Sequence, residues 1–168
     1  MTLCEGNQEV AAEQLIRLLQ DANPKNSEEH KIYVEAHDVL ALTLYSLGRY
    51  ADAVSSFKKS IPSATGDHRK RLSCYLGVCY YKAGNLNEAK EKLTESLPAS
   101  PDDDWWYSAQ YELGCTSFGL GAYTRAKELF EIYEFYVSRD DLDQLENVSS
   151  WLQKTREKLG EGQEPTRN

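Results

Sequence analysis

Leu76-Gly77-Val78-Cys79-Tyr80-Tyr81-Lys82-Ala83-Gly84-Asn85-Leu86-Asn87-Glu88-Ala89, followed by Leu93 and Pro98, is the stretch that decides the fold of this chain. Its apolar residues return at helical spacing as far as Gly84. Glycine there ends a helix cheaply, because the left-handed backbone conformation that closes a last turn suits a residue without a Cβ. Leu86 follows two residues later and Ala89 three after that, so a second helix begins at once with a small residue on its inward side. A small residue lets two helices approach closely. Leu93, four further on, extends the same face. Pro98 then stops the second helix. The stretch reads as a helical hairpin.

The same order of residues occurs on either side. Upstream it runs from Leu40-Ala41 through Leu44, Gly48, Tyr50 and Ala53 to Phe57 and Pro62; downstream it runs from Leu113-Gly114 through Gly121, Tyr123 and Ala126 to Phe130. Gly48, Gly84 and Gly121 lie 36 and 37 residues apart. A hairpin of this size cannot bury its apolar side alone, so neighbouring hairpins must stack.

The pattern Leu-Gly, Tyr, Gly-x-aromatic-x-x-Ala, Phe, Pro resembles the tetratricopeptide repeat. The second unit matches it most fully, through Leu76, Gly77, Tyr80, Gly84, Ala89, Leu93 and Pro98. The third has Ser117 in place of the aromatic and no closing proline. The first has Ala41 for the glycine and Leu44 for the aromatic. The resemblance implies an all-α fold, with antiparallel helical hairpins stacked into a right-handed superhelix.

The expected organisation is one helical-repeat domain over 1–160. It comprises a half-unit at 6–22, units at about 32–62, 68–98 and 104–138, and a capping helix at 140–159; a disordered tail covers 161–168. In the half-unit, Gly6 is read as the turn glycine, Ala11 as the small residue and Leu15 as the large one. The chain therefore reads as starting mid-repeat, either as a piece of something longer or with a helix that caps the stack. In the capping helix Leu142, Leu145, Val148, Trp151, Leu152 and Leu159 form an apolar stripe opposite polar residues.

In tetratricopeptide proteins the first helix of each hairpin lines a concave groove that holds a partner segment. Carried onto this sequence, the inward set is Asp38, Leu42 and Tyr45; Arg71, Cys74, Tyr75, Val78, Tyr81 and Lys82; and Ser108, Tyr111, Glu112, Cys115 and Phe118. The expected partner-binding groove is Leu42, Tyr45, Arg71, Tyr75, Val78, Tyr81, Lys82, Tyr111 and Phe118. Family members that bind acidic chaperone tails present Lys, Asn and Arg in that groove. The matching positions here are Glu35, Asp38, Leu42, Arg71, Tyr75 and Glu112, and only Arg71 fits, so no carboxylate clamp is expected. An aromatic groove suits an apolar or amphipathic segment instead. Trp105 and Trp106 are adjacent and must point in different directions on a helix. One is expected over the preceding loop, the other as a partly exposed anchor.

Composition narrows the function classes. The formal net charge is -8, and the longest basic run is only Arg69-Lys70-Arg71, which points away from nucleic acid. No apolar run has the ~20 residues that span a bilayer, and the N-terminus does not read as a signal peptide. Cys4, Cys74, Cys79 and Cys115 form no CxxC pair and read as reduced thiols of a cytoplasmic protein, with no metal site. The three histidines are scattered, and no nucleophile has a base at a useful spacing. The sequence thus reads as a non-enzymatic scaffold without cofactor that binds another protein. The alternative is a self-assembling scaffold that stacks through its terminal repeats, and sequence leaves monomer or homo-oligomer open.

Overall fold

The computed structural model describes residues 3–97, 105–137 and 141–161, and the side chains from Gly6 onward. The described residues form eight α-helices and no strand. They are α1 (Leu3–Gln20), α2 (Ser27–Ser46), α3 (Tyr50–Ser60), α4 (Gly66–Lys82), α5 (Leu86–Ser96), α6 (Trp106–Gly119), α7 (Tyr123–Tyr136) and α8 (Leu142–Leu159). The hairpins are α2–α3, α4–α5 and α6–α7. Each packs on the next, α1 lies against α2, and α8 closes the stack against α7. The result is an all-α solenoid. Pro62 sits in a short 3₁₀ turn after α3. Pro98 and the stretch up to 104, between the second and third units, lie outside the described residues, as does the tail from 162 onward.

The three repeat glycines do what their spacing implies. Gly48, Gly84 and Gly121 have φ of 72°, 81° and 75°. Each amide donates to the carbonyl three residues back, at 3.0, 2.9 and 3.0 Å, and the amide after it reaches five back, at 2.8, 2.9 and 2.9 Å. That paired pattern satisfies carbonyls the helix would otherwise leave open. The chain leaves each turn already aimed to start an antiparallel helix.

Packing within a hairpin depends on the small residues. Ala53, Ala89 and Ala126 are fully buried, as are Phe57, Leu93 and Phe130 four residues later. A Cβ on Gly77 would lie 2.7 Å from Leu93 Cγ, and one on Gly114 would lie 2.6 Å from Phe130 Cε1. Ala41 fills the equivalent place in the first hairpin and is fully buried. One apolar cluster runs from α1 to α7; a second joins α6, α7 and α8, and Tyr81 packs against both.

The first helix differs from its sequence reading. Gly6 lies inside α1 and lacks a positive φ, because the helix already begins at Leu3. Ala12 is buried and Ala11, read as the small inward residue, is exposed; Leu15 and Ile16 are both half-buried against the first cluster. Glu161, read as part of the tail, donates its amide to the Arg156 carbonyl at 2.9 Å and pairs with Lys127.

Gly77→Ala is expected to destabilise the fold by about 1–3 kcal/mol through overpacking. Leu93→Ala is expected to cost about 2–5 kcal/mol. Combined, the two should cost clearly less than their sum, because the cavity receives the new methyl. Urea denaturation of the four proteins measures this. Strict additivity would contradict the contact.

Candidate functional site

The residues expected to face inward lie on α2, α4 and α6, and the structure divides them into three groups. Leu42, Tyr45, Arg71, Tyr75, Tyr81, Tyr111 and Phe118 are half-buried, and Lys82 is exposed. Val78 is only 2% exposed and drops out of the surface, as do the inward-set members Cys74, Cys115 and Glu112. They pack between neighbouring first helices, where a tightly stacked array leaves no room for a partner.

The half-buried rings form contacts of their own. Tyr45 and Tyr75 have centroids 4.9 Å apart, and Tyr75 lies 6.4 Å from Phe57. Tyr111 and Phe118 are occupied differently. The Trp151 indole on α8 donates to Tyr111 Oη at 2.9 Å and meets the Phe118 ring at 5.1 Å. α8 therefore covers the third hairpin's share of the expected groove. What α8 leaves uncovered is the part over the first two hairpins: Leu42, Tyr45, Arg71, Tyr75, Tyr81 and Lys82.

Both tryptophans expected to supply an anchor are buried, Trp105 at 7% and Trp106 at 5%. Trp105 packs in the first cluster and donates its indole N–H to the Ser96 carbonyl at 3.0 Å. Trp106 packs in the second cluster, 5.0 Å from Tyr107 and 5.4 Å from Tyr136. Pointing in different directions, the two serve two cores and leave no exposed anchor.

Polar contacts bridge the inward helices. Lys82 Nζ lies 2.9 Å from Glu112 Oε1, joining α4 to α6. His68 Nε2 lies 2.9 Å from Asp38 Oδ2, joining α4 to α2. Glu112 Oε2 is buried without a hydrogen-bond partner. Burial pushes the Glu112 carboxyl above its ordinary range, against the opposing pull of Lys82. Sequence reasoning missed this pair, since nothing local links positions 82 and 112. Burial also pushes the thiols of Cys74, Cys79 and Cys115 up to about 12, which makes them inert as nucleophiles at neutral pH. No helix among the described residues is long and apolar enough to cross a membrane.

The tetratricopeptide-repeat family model matches residues 34–61. Residues 34–61 are thus a tetratricopeptide repeat. The matched stretch is the first hairpin, in which Ala41 and Leu44 stand for the glycine and the aromatic. Among solved structures, the nearly identical TPR-like repeats named for a kinesin light chain of Podosopora anserina share the fold, with a TM-score of 0.64 and 16% identity over 92% of this chain and 80% of that one. A single-substitution variant of that protein gives a TM-score of 0.66 at the same identity and coverage. Comparison with curated proteins gives no match. Tetratricopeptide repeats generally mediate protein–protein interaction, and their fold serves as a non-catalytic scaffold.

The raised Glu112 carboxyl has a pH consequence. It binds its proton more tightly folded than unfolded, so its contribution favours the native state below the ordinary carboxylate pKa. That contribution is lost as pH rises through the raised value. Glu112→Gln is expected to flatten this part of the stability profile in urea melts from about pH 4 to pH 8. An unchanged slope would contradict the assignment.

Proposed function

We propose that this chain is an adaptor whose inward face, over its first two hairpins, holds an apolar or amphipathic segment of another protein. The observation that carries the reading is the partly uncovered strip of Leu42, Tyr45 and Tyr75, flanked by the Arg71 and Lys82 cations. Tyrosine offers a large rigid ring and a hydroxyl at low entropic cost, which suits a contact surface. Lys82 and Arg71 would orient the segment at the rim, where charge contributes more to selection than to affinity. Acidic residues at Glu35, Asp38 and Glu112 disfavour a carboxylate tail as ligand. The reading needs no cofactor or metal and no nucleic acid, and it places the protein in the cytoplasm, where its thiols stay reduced.

A photo-crosslinking residue placed in turn at Leu42, at Lys82 and at outward-facing Glu91 on α5 tests this in lysate of the native host. The same partner is expected from the two inward positions and not from Glu91. Tyr75→Ser, in protein of unchanged helicity, is expected to reduce its capture about tenfold. Equal crosslinking from Glu91, or none from the inward positions, would contradict the proposal.

A further inference from the structure

The first helix of each hairpin carries one buried polar side chain at the same place in the repeat. The three are His37, Ser73 and Gln110, each four residues before the small residue Ala41, Gly77 or Gly114 and so on the same helix face. They are 3%, 6% and 2% exposed. Gln110 donates its side-chain amide to the Leu129 carbonyl on α7 at 3.2 Å. His37 meets α3 through Nδ1, which lies 3.4 Å from Ser56 Oγ. Serine and glutamine keep one charge state across physiological pH, whereas histidine does not. Of the three hairpins, only the first has a group at this place that can take up a proton.

The surroundings of His37 suit the neutral ring. Its Nε2 is buried and has no hydrogen-bond partner. Tyr33, one turn earlier on α2, meets the ring edge-on with centroids 4.5 Å apart. A groove of about 330 Å³ between α1 and α3 is lined by His37 and brings the neighbouring elements together. From α1 it receives Ile16, Leu19 and Gln20, none of them charged. From α3 it receives Lys59, which lies over the Tyr33 ring at 5.7 Å, and Asp52, which Arg49 already holds at 2.7 Å. A charged imidazole here would face an ammonium group and no free carboxylate. Burial, and then Lys59, hold the ring below its ordinary value. His68 differs, because Asp38 Oδ2 at 2.9 Å can meet its positive charge. His30 is exposed.

We infer that His37 is a proton-operated switch: in mild acid it takes up a proton by leaving its place between α2 and α3, and the α1–α3 end of the stack opens while the third hairpin stays closed. An opened hairpin gives the imidazole water and its ordinary affinity for a proton, and the closed one binds the proton more weakly. This contribution to stability is whole above the ordinary value of 6.5 and is lost as pH falls through it. Ser73 and Gln110 give the other two hairpins no such response. Leu42 and Tyr45 also lie on α2, so a segment held there is released in acid. That consequence rests on the adaptor reading; the switch itself does not.

Amide hydrogen exchange of the intact chain, corrected for intrinsic rates, tests the switch. Protection of α2 and α3 should fall about tenfold or more from about pH 7 to pH 5, while that of α6 and α7 does not fall. His37→Gln, which copies Gln110 at the same place, should remove the fall. His68→Gln should leave it. Should His37→Gln fail to fold, the imidazole signals of the wild-type chain decide, with His37 expected to titrate below an unfolded histidine. Three results would overturn the inference. One is protection of α2 and α3 that is equal at the two pH values. Another is a fall that survives His37→Gln. The third is a His37 ring that titrates at or above the ordinary value. None of these readouts involves a partner, so their failure is distinct from failure of the adaptor reading.

Discussion

The close approach of two helices over a residue with little or no side chain governs this structure. Gly77 lies against Leu93 and Gly114 against Phe130 with no space for a methyl group, and Ala41 serves the first hairpin. Only at that separation do the large residues of the second helices become fully enclosed. The left-handed glycines set the antiparallel return, but the return is useful only because a small residue waits where the helices meet. Dispersion and apolar burial then act along the whole length of each hairpin.

From that contact the two sides of the stack take different characters. Hairpins that pack tightly bring their first helices together, which buries Val78, Cys74 and Cys115 and leaves aromatic rings half-covered beside them. The polar pair Lys82 and Glu112 spans the same seam at the edge of solvent. α8 turns Val148, Leu152 and Trp151 onto the third hairpin. Among the described residues apolar side chains stay exposed at both ends, Leu18 and Ile32 at one and Phe135 and Leu142 at the other.

The repeat itself was legible because its signals are local. Gly48, Gly84 and Gly121, the alanines that follow and the large residues four further on lie within one hairpin, so spacing alone places them. Errors arose where a residue's surroundings come from distant sequence. Phe118 and Tyr111 read as groove residues until Trp151 of the last helix is seen on them. One of Trp105 and Trp106 reads as an exposed anchor because nothing nearby shows that Ser96 and Tyr136 receive them. In α1 the turn glycine was misread at Gly6, since a glycine inside a helix and one ending a helix look alike without a preceding periodic stretch. Ala11, counted from that glycine, is exposed, and Ala12 beside it is the buried one.

Native-state hydrogen exchange measures most directly whether stability here follows coverage of one helix by the next. Amides of α4, α5 and α6, enclosed on both sides, should exchange only with the slowest opening of the molecule. Amides of α1, packed mainly on α2 and tied to the α2–α3 turn by Arg49 through Glu9 and Glu13, should open separately and sooner. Protection of α1 equal to that of α4 and α6 would contradict stability that follows coverage by neighbouring helices.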